Sequence, residues 1–213
     1  MTSFEGVRRR FHRNLDAVEA QVGQMFGLLR ASLAEATVVL TGDDRARARE
    51  VVRRDTVIDD LDHQLEASIV RILHRESPMA GDLRYLVTVL RVAPELERSA
   101  DLVEHIAARA AGGLGAALTP ELIGHVRQMG DLAEQMWAVA DAAWCERRPG
   151  AVGELDDLDD QLDALHDRLR IRLAAGALPL GPGVEMALVG RFYERLGDHA
   201  LHVTQRLVYA AGD

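Results

Sequence analysis

Apolar residues recur at helical spacing along almost the whole chain, and no stretch shows convincing strand alternation. The first such stretch carries Phe11, Leu15, Val18, Val22, Met25, Leu29, Leu33, Ala36 and Leu40, close to the seam of packed helices. Leu122, Val126, Met129, Ala133, Met136, Ala140 and Ala143 repeat that habit. Turn compositions separate the periodic stretches: LTGDD (40–44), ESPMAG (76–81), AGGLGAALTP (111–120), RRPGAVG (147–153) and GALPLGPG (176–183). The pattern predicts six helices, over 4–40, 43–75, 79–111, 119–147, 151–175 and 182–210. Ser77-Pro78 and Thr119-Pro120 each offer a cap followed by proline, predicted starts for the third and fourth helices.

The chain also repeats itself. IDDLDHQLE returns as LDDLDDQLD and ERSAD as ERLGD, both 97 positions later (58 to 155, 97 to 194). Each half is therefore read as three helices, and the fold as all-α, a tandem repeat of two three-helix bundles. The division falls at 1–112 and 113–213.

Within the repeat, four-residue spacing stacks Glu97, Asp101 and His105 on one helical face, and Glu194, Asp198 and His202 on its counterpart. At 100° per residue the carboxylates continue the face that holds Leu83, Leu86, Val87 and Leu90 earlier in the same helix. Val89, Val92, Leu96 and Val103 form a second apolar side, the mark of a central helix. In the sixth helix Leu180, Val184 and Ala187 lead into the acids in the same way. The second helix carries a matching stripe of Asp55, Asp59, Asp62 and Glu66. Asp59 and Glu97 lie symmetrically about the turn near residue 78, so a hairpin sets them side by side; Asp156 and Glu194 do the same about residue 176. Converging carboxylates repel unless something neutralises them. Arg98 and Arg195 are at hand to do so in part. A multivalent cation does so better, and an all-oxygen ligand set suits magnesium, calcium, manganese or iron. His105 and His202 lie a full turn beyond the aspartates and are the weaker ligands of each trio.

Composition narrows the possibilities. The net charge of −9 argues against a nucleic-acid partner, which needs clustered basic residues. One cysteine, Cys145, excludes an intramolecular disulfide framework and is expected to be a small buried hydrophobe beside Trp144. Trp137 and Trp144 read as core; His12, His63, His74, His125 and His166 read as surface or boundary residues. No apolar run approaches the ~20 residues of a membrane span, and the basic N-terminus lacks the apolar core of a secretory signal. The expected location is the cytoplasm, peripheral to a membrane at most. No phosphate-cradling glycine loop, nucleophile elbow, His-Glu-x-x-His or paired-cysteine motif occurs, so no enzyme is expected.

SPMAGDLRYLVTVLRVAPELERSADLVEHI, its echo ending FYERLGDHALH, and the opening MTSFEGVRRRFHRNLDAVEAQVGQM together resemble the PhoU family of phosphate-uptake regulators. The resemblance implies paired three-helix bundles, a homodimer and a cytoplasmic accessory role. In that role the protein restrains the phosphate-starvation response by contacting the ATPase subunit of a phosphate ABC transporter and a sensor histidine kinase. It implies metal clusters, iron in some cases, on motifs that fall here at Glu97/Asp101 and Glu194/Asp198, with Asp55/Asp59 and Asp156 on the facing helices. Two features depart from the family pattern: Val152 replaces an acid four residues before Asp156, and Pro94, three residues before Glu97, is expected to kink or restart the third helix. Two other readings stay open beside this one, a carboxylate-bridged metalloenzyme and a metal-free helical adaptor with salt-bridged stripes.

Overall fold

The computed structural model describes the backbone of residues 2–54 and 56–211, and the side chains of residues 9–54, 56–148 and 150–207. The described residues form α1 (Thr2–Thr41), α2 (Arg45–Arg54), α3 (Thr56–Glu76), α4 (Ala80–Ala111), α5 (Pro120–Glu146), α6 (Val152–Ala174) and α7 (Leu180–Ala211). Short 3₁₀ turns at Leu114–Ala117 and Pro149–Ala151 complete the connections, and no strand occurs among these residues.

The stretch 43–75, expected as one helix, holds two, α2 and α3, on either side of Asp55, itself outside the described residues. Its sequence there, RRDTVI, combines cap-type and β-branched residues, which favour a helix start over a helix interior. The two proline signals part company. Thr119 caps α5, its Oγ1 accepting from Leu122 N at 3.3 Å, with Pro120 at the first helical position. Ser77 does not cap α4: it takes φ +44°, and the helix begins at Ala80 after an extended, uncapped Met79. Pro94 does not restart α4, which runs on to Ala111. Packing of α1, α3 and α7 along α4 holds the helix through the missing N–H.

Repeat one packs α1, α3 and α4 together with α2 alongside; repeat two packs α5, α6 and α7. The two are joined along α1–α5 and α4–α7, so the buried apolar side chains of both halves form one continuous cluster. Val89, Val92, Leu96 and Val103 are buried in it, as the second apolar side of a central helix requires. Trp137 and Trp144 are buried as well, both packed at a tilt near Phe26. Burying this many aliphatic side chains is the main stabilising term, each worth ~1.5–3 kcal/mol relative to exposure.

Three expectations about burial fail. Cys145 is exposed, because one step past Trp144 rotates it about 100° off the core. His125 is buried, with Nε2 donating to Leu165 O at 2.7 Å. Leu83, Leu180 and Val184 are exposed at the hairpin tips, where the acidic face's apolar continuation runs out beyond its neighbours. No helix among the described residues is long and apolar enough to cross a membrane.

Candidate metal centre

Long antiparallel neighbours decide what faces what. The hairpin of α3 and α4 turns at residues 77–79, which lays the start of α3 beside the second half of α4. Asp59 from α3 meets Glu97 and Asp101 from α4 there, with one carboxylate oxygen of each lying within 4.8 Å of the others. Asp59 and Glu97 are half-buried and Asp101 is exposed, so the cluster sits at the rim of the bundle. Unit charges at that spacing repel by about 3 kcal/mol per pair at an effective dielectric near 20.

The chain supplies little to offset that repulsion. Arg98 pairs with Glu95 Oε1 at 3.4 Å and offsets the repulsion only in part, by its charge near Glu97 and Asp62. Burial pushes the Glu97 carboxyl up, and Asp101, Asp59 and Asp62 add to the rise. Asp101 is raised by burial and by Asp59, and Asp62 chiefly by burial. Asp59 Oδ1 is buried without a hydrogen-bond partner among the described residues. A carboxylate oxygen only accepts, so this atom calls for a proton or a cation. The donor set is all oxygen, with the half-open rim that hard cations tolerate because they keep some of their waters.

The second repeat differs. Asp156 is exposed, and the acid turned toward α7 is Asp159, whose Oδ1 lies where a Cβ on Gly197 would come within 3.0 Å. The Asp159 carboxyl is pushed up to about 6, first by burial and then by Asp163, Asp198, Asp160 and Asp156. Glu194 is raised by burial and by Asp198. Its Oε1 accepts from Arg191 Nη1, while Oε2 is buried without a partner among the described residues. Arg191, one turn back on α7, thus takes the neutralising place that the sequence offered to Arg195. Among the described residues, three acids converge within 4.8 Å only in the first repeat.

Of the seven acids singled out in the sequence, then, Asp59, Glu97 and Asp101 come together. Glu194 and Asp198 lie near one another with Asp159 across from Asp198, Asp156 points to solvent, and Asp55 lies outside the described residues. Asp159 is the residue missed. Its signal was present, since it repeats Asp62 of the first stripe at the same offset (62 to 159). His105 does not join the converging three: its Nδ1 binds Glu104 Oε2 at 2.7 Å and its ring packs edgewise on Phe192.

Comparison with known proteins agrees with this architecture. The PhoU domain matches twice, at residues 22–110 and 126–207. The phosphate-specific transport system accessory protein PhoU homolog 2 of Mycobacterium tuberculosis is 29% identical over 208 residues, covering 96% of this chain and 98% of that protein. PhoU homolog 1 of the same organism is 30% identical, covering 95% of this chain and 93% of the relative. The crystal structure of PhoU from Pseudomonas aeruginosa superposes with a TM-score of 0.86 at 23% identity, over 94% of this chain and 98% of that one. Two domain matches, one on each helical repeat, together with full-length relatives and a shared fold, place this chain in the PhoU family.

Proposed function

We propose that this chain is a cytoplasmic regulator of phosphate uptake and of the phosphate-starvation response, acting by protein contacts and not as an enzyme. The observation that carries the reading is likeness over nearly its whole length to accessory proteins of phosphate-specific transport. Its partners are the ATPase subunit of a phosphate ABC transporter and a sensor histidine kinase, which it restrains when phosphate is plentiful, as a homodimer. The long faces of α3, α4, α6 and α7 are the docking surfaces, and their acidic rims hold hard cations.

Asp59, Glu97 and Asp101 form the stronger cation site, supported by their convergence and by the unpartnered Asp59 oxygen. Glu194, Asp198 and Asp159 form the weaker one, because Arg191 already satisfies one Glu194 oxygen. The bound ions are iron, manganese, magnesium or calcium, and they stiffen the rim by removing its repulsion. Deleting the gene tests the regulatory reading: phosphate uptake and alkaline phosphatase output in high phosphate should both rise. No change in either refutes it. Metal analysis of protein purified without chelator tests the sites, with a Glu97→Ala/Asp101→Ala/Glu194→Ala/Asp198→Ala variant expected to lose its metal. Equal metal in both proteins refutes them.

A further inference from the structure

The opposite end of α3 has the opposite electrostatic character. Between the N-terminal half of α1 and the last turns of α3 lies a cleft of about 310 Å³, lined by Arg10, Asn14, Ser68, Arg71, Arg75 and Glu76 among others. Three guanidinium groups against one carboxylate make it net positive on a chain whose overall charge is −9. Among the described residues neither Arg71 nor Arg75 forms an ion pair; Arg71 Nη2 only donates to Ser68 Oγ at 3.2 Å. Arginines left without carboxylates in a concave site are a ready receptor for an oxyanion, to which the guanidinium offers forked N–H donors.

Glu76 narrows the choice of anion. Its side chain is only 5% exposed, and Oε1 accepts from Asn14 Nδ2 at 2.9 Å with Arg10 Nε 3.6 Å away. Its Oε2 is buried and has no partner among the described residues. That oxygen needs a donor, so an anion that is purely an acceptor leaves it unsatisfied. Hydrogen phosphate meets both demands. Its charged oxygens suit Arg71 and Arg75, and its remaining O–H donates to Glu76 Oε2 once a small shift of that side chain uncovers the oxygen. Sulfate has similar size and charge but carries no proton at neutral pH. The cleft has room for the anion and several waters, at ~30 Å³ per water.

We propose that this cleft is a binding site for hydrogen phosphate, held by Arg71 and Arg75 and selected against sulfate by Glu76. Asp59 and Arg75 sit on one helix, about 24 Å apart along its axis, so the anion is bound without help from a metal at the acidic rim. The proposal is therefore independent of the metal reading. It gives this chain a direct means of responding to the ion whose uptake it regulates.

Calorimetric titration of chelator-treated protein with inorganic phosphate, sulfate and glycerol phosphate tests it. Phosphate should bind at least about tenfold tighter than sulfate, by a charge-assisted hydrogen bond that sulfate does not form. Arg71→Ala/Arg75→Ala, both at exposed positions, should abolish binding with an unchanged melting temperature. Glu76→Gln should bring the phosphate-to-sulfate ratio close to one; if that variant fails to fold, the arginine pair decides alone. Equal affinity for sulfate, no binding of phosphate, binding that survives loss of both arginines, or binding of glycerol phosphate alone would each overturn the proposal.

Discussion

Ser99 Oγ and His199 Nδ1 stand 2.9 Å apart between α4 and α7, a buried polar bond that ties one repeat to the other. The serine hydroxyl donates to Glu95 O at 2.6 Å, so the hydrogen between the pair belongs to His199. Both residues break the repeat, since their counterparts are Leu196 and Leu102 (99 to 196, 102 to 199). Ser99→Ala should strand the buried N–H and cost about 1–3 kcal/mol of unfolding free energy. Ser99→Ala/His199→Leu should recover most of it, because the matching position of repeat one already holds leucine. Denaturant titration of the two variants compares them directly; equal losses would mean that the bond is unimportant.

The same histidine makes stability depend on pH. Burial lowers its pKa from the ordinary 6.5, with Glu95, 3.9 Å away, opposing the shift. The unfolded chain therefore takes up the proton first. Stability is present above pH 6.5 and is lost as pH falls through the lower folded value. His199→Leu should flatten this acid limb between pH 7 and pH 5, measured by denaturant midpoints.

Asp159 works in the other direction. Its carboxyl is raised from 3.8 to about 6, so its contribution is fully present below pH 4 and is lost as pH rises through about 6. In metal-free protein Asp159→Asn should therefore melt higher than wild type at pH 7.5. The gap should close by pH 4, where both side chains are neutral. A constant gap across that range would assign the effect to packing.

Cation binding should oppose the repulsion in repeat one. Divalent ion at a hundredfold excess over its dissociation constant adds about 2.7 kcal/mol to stability. Chelation should lower the melting temperature of wild type accordingly. Glu97→Gln/Asp101→Asn should remove most of that response, leaving only the share of the weaker second site, and, without metal, melt above chelated wild type. An undiminished metal response in the variant would place the ions elsewhere.

A glycine lies where α6 and α7 approach closely. A Cβ at Gly197 would lie 2.8 Å from Leu162 Cδ2, 3.0 Å from Asp159 Oδ1 and 3.2 Å from Met136 Sδ. Gly197→Ala should cost about 1 kcal/mol or less, because the side-chain ends it meets can shift and alanine regains helix propensity. Repeat one tolerates Ala100 at the matching position (100 to 197). Thermal melts of the variant and wild type measure the difference.

Hydrophobic period and repeated motifs were enough to read an all-helical chain, the two repeats and the pairing of Asp59 with Glu97, though not the break between α2 and α3. These follow from local spacing and from the symmetry of a hairpin about its turn, and a sequence carries both. Helix ends were less legible. Thr119-Pro120 and Ser77-Pro78 look alike as dipeptides, yet only the first caps a helix. Pro94 is held inside α4 by neighbours that its local sequence does not mention.

What the sequence by itself determined, then, was helical content, twofold repetition and the presence of acidic stripes, all encoded within a few turns of chain. Tertiary structure alone decided that Asp159, and not Asp156, faces the acids of α7, that Arg191 neutralises Glu194, and that Ser99 reaches His199 at a separation of 100 residues. It also brought the arginines of α1 and α3 into one cleft with Glu76. Each of these depends on the angle and register at which two helices pack. The combined shapes of many buried side chains set that register, and no single motif fixes it.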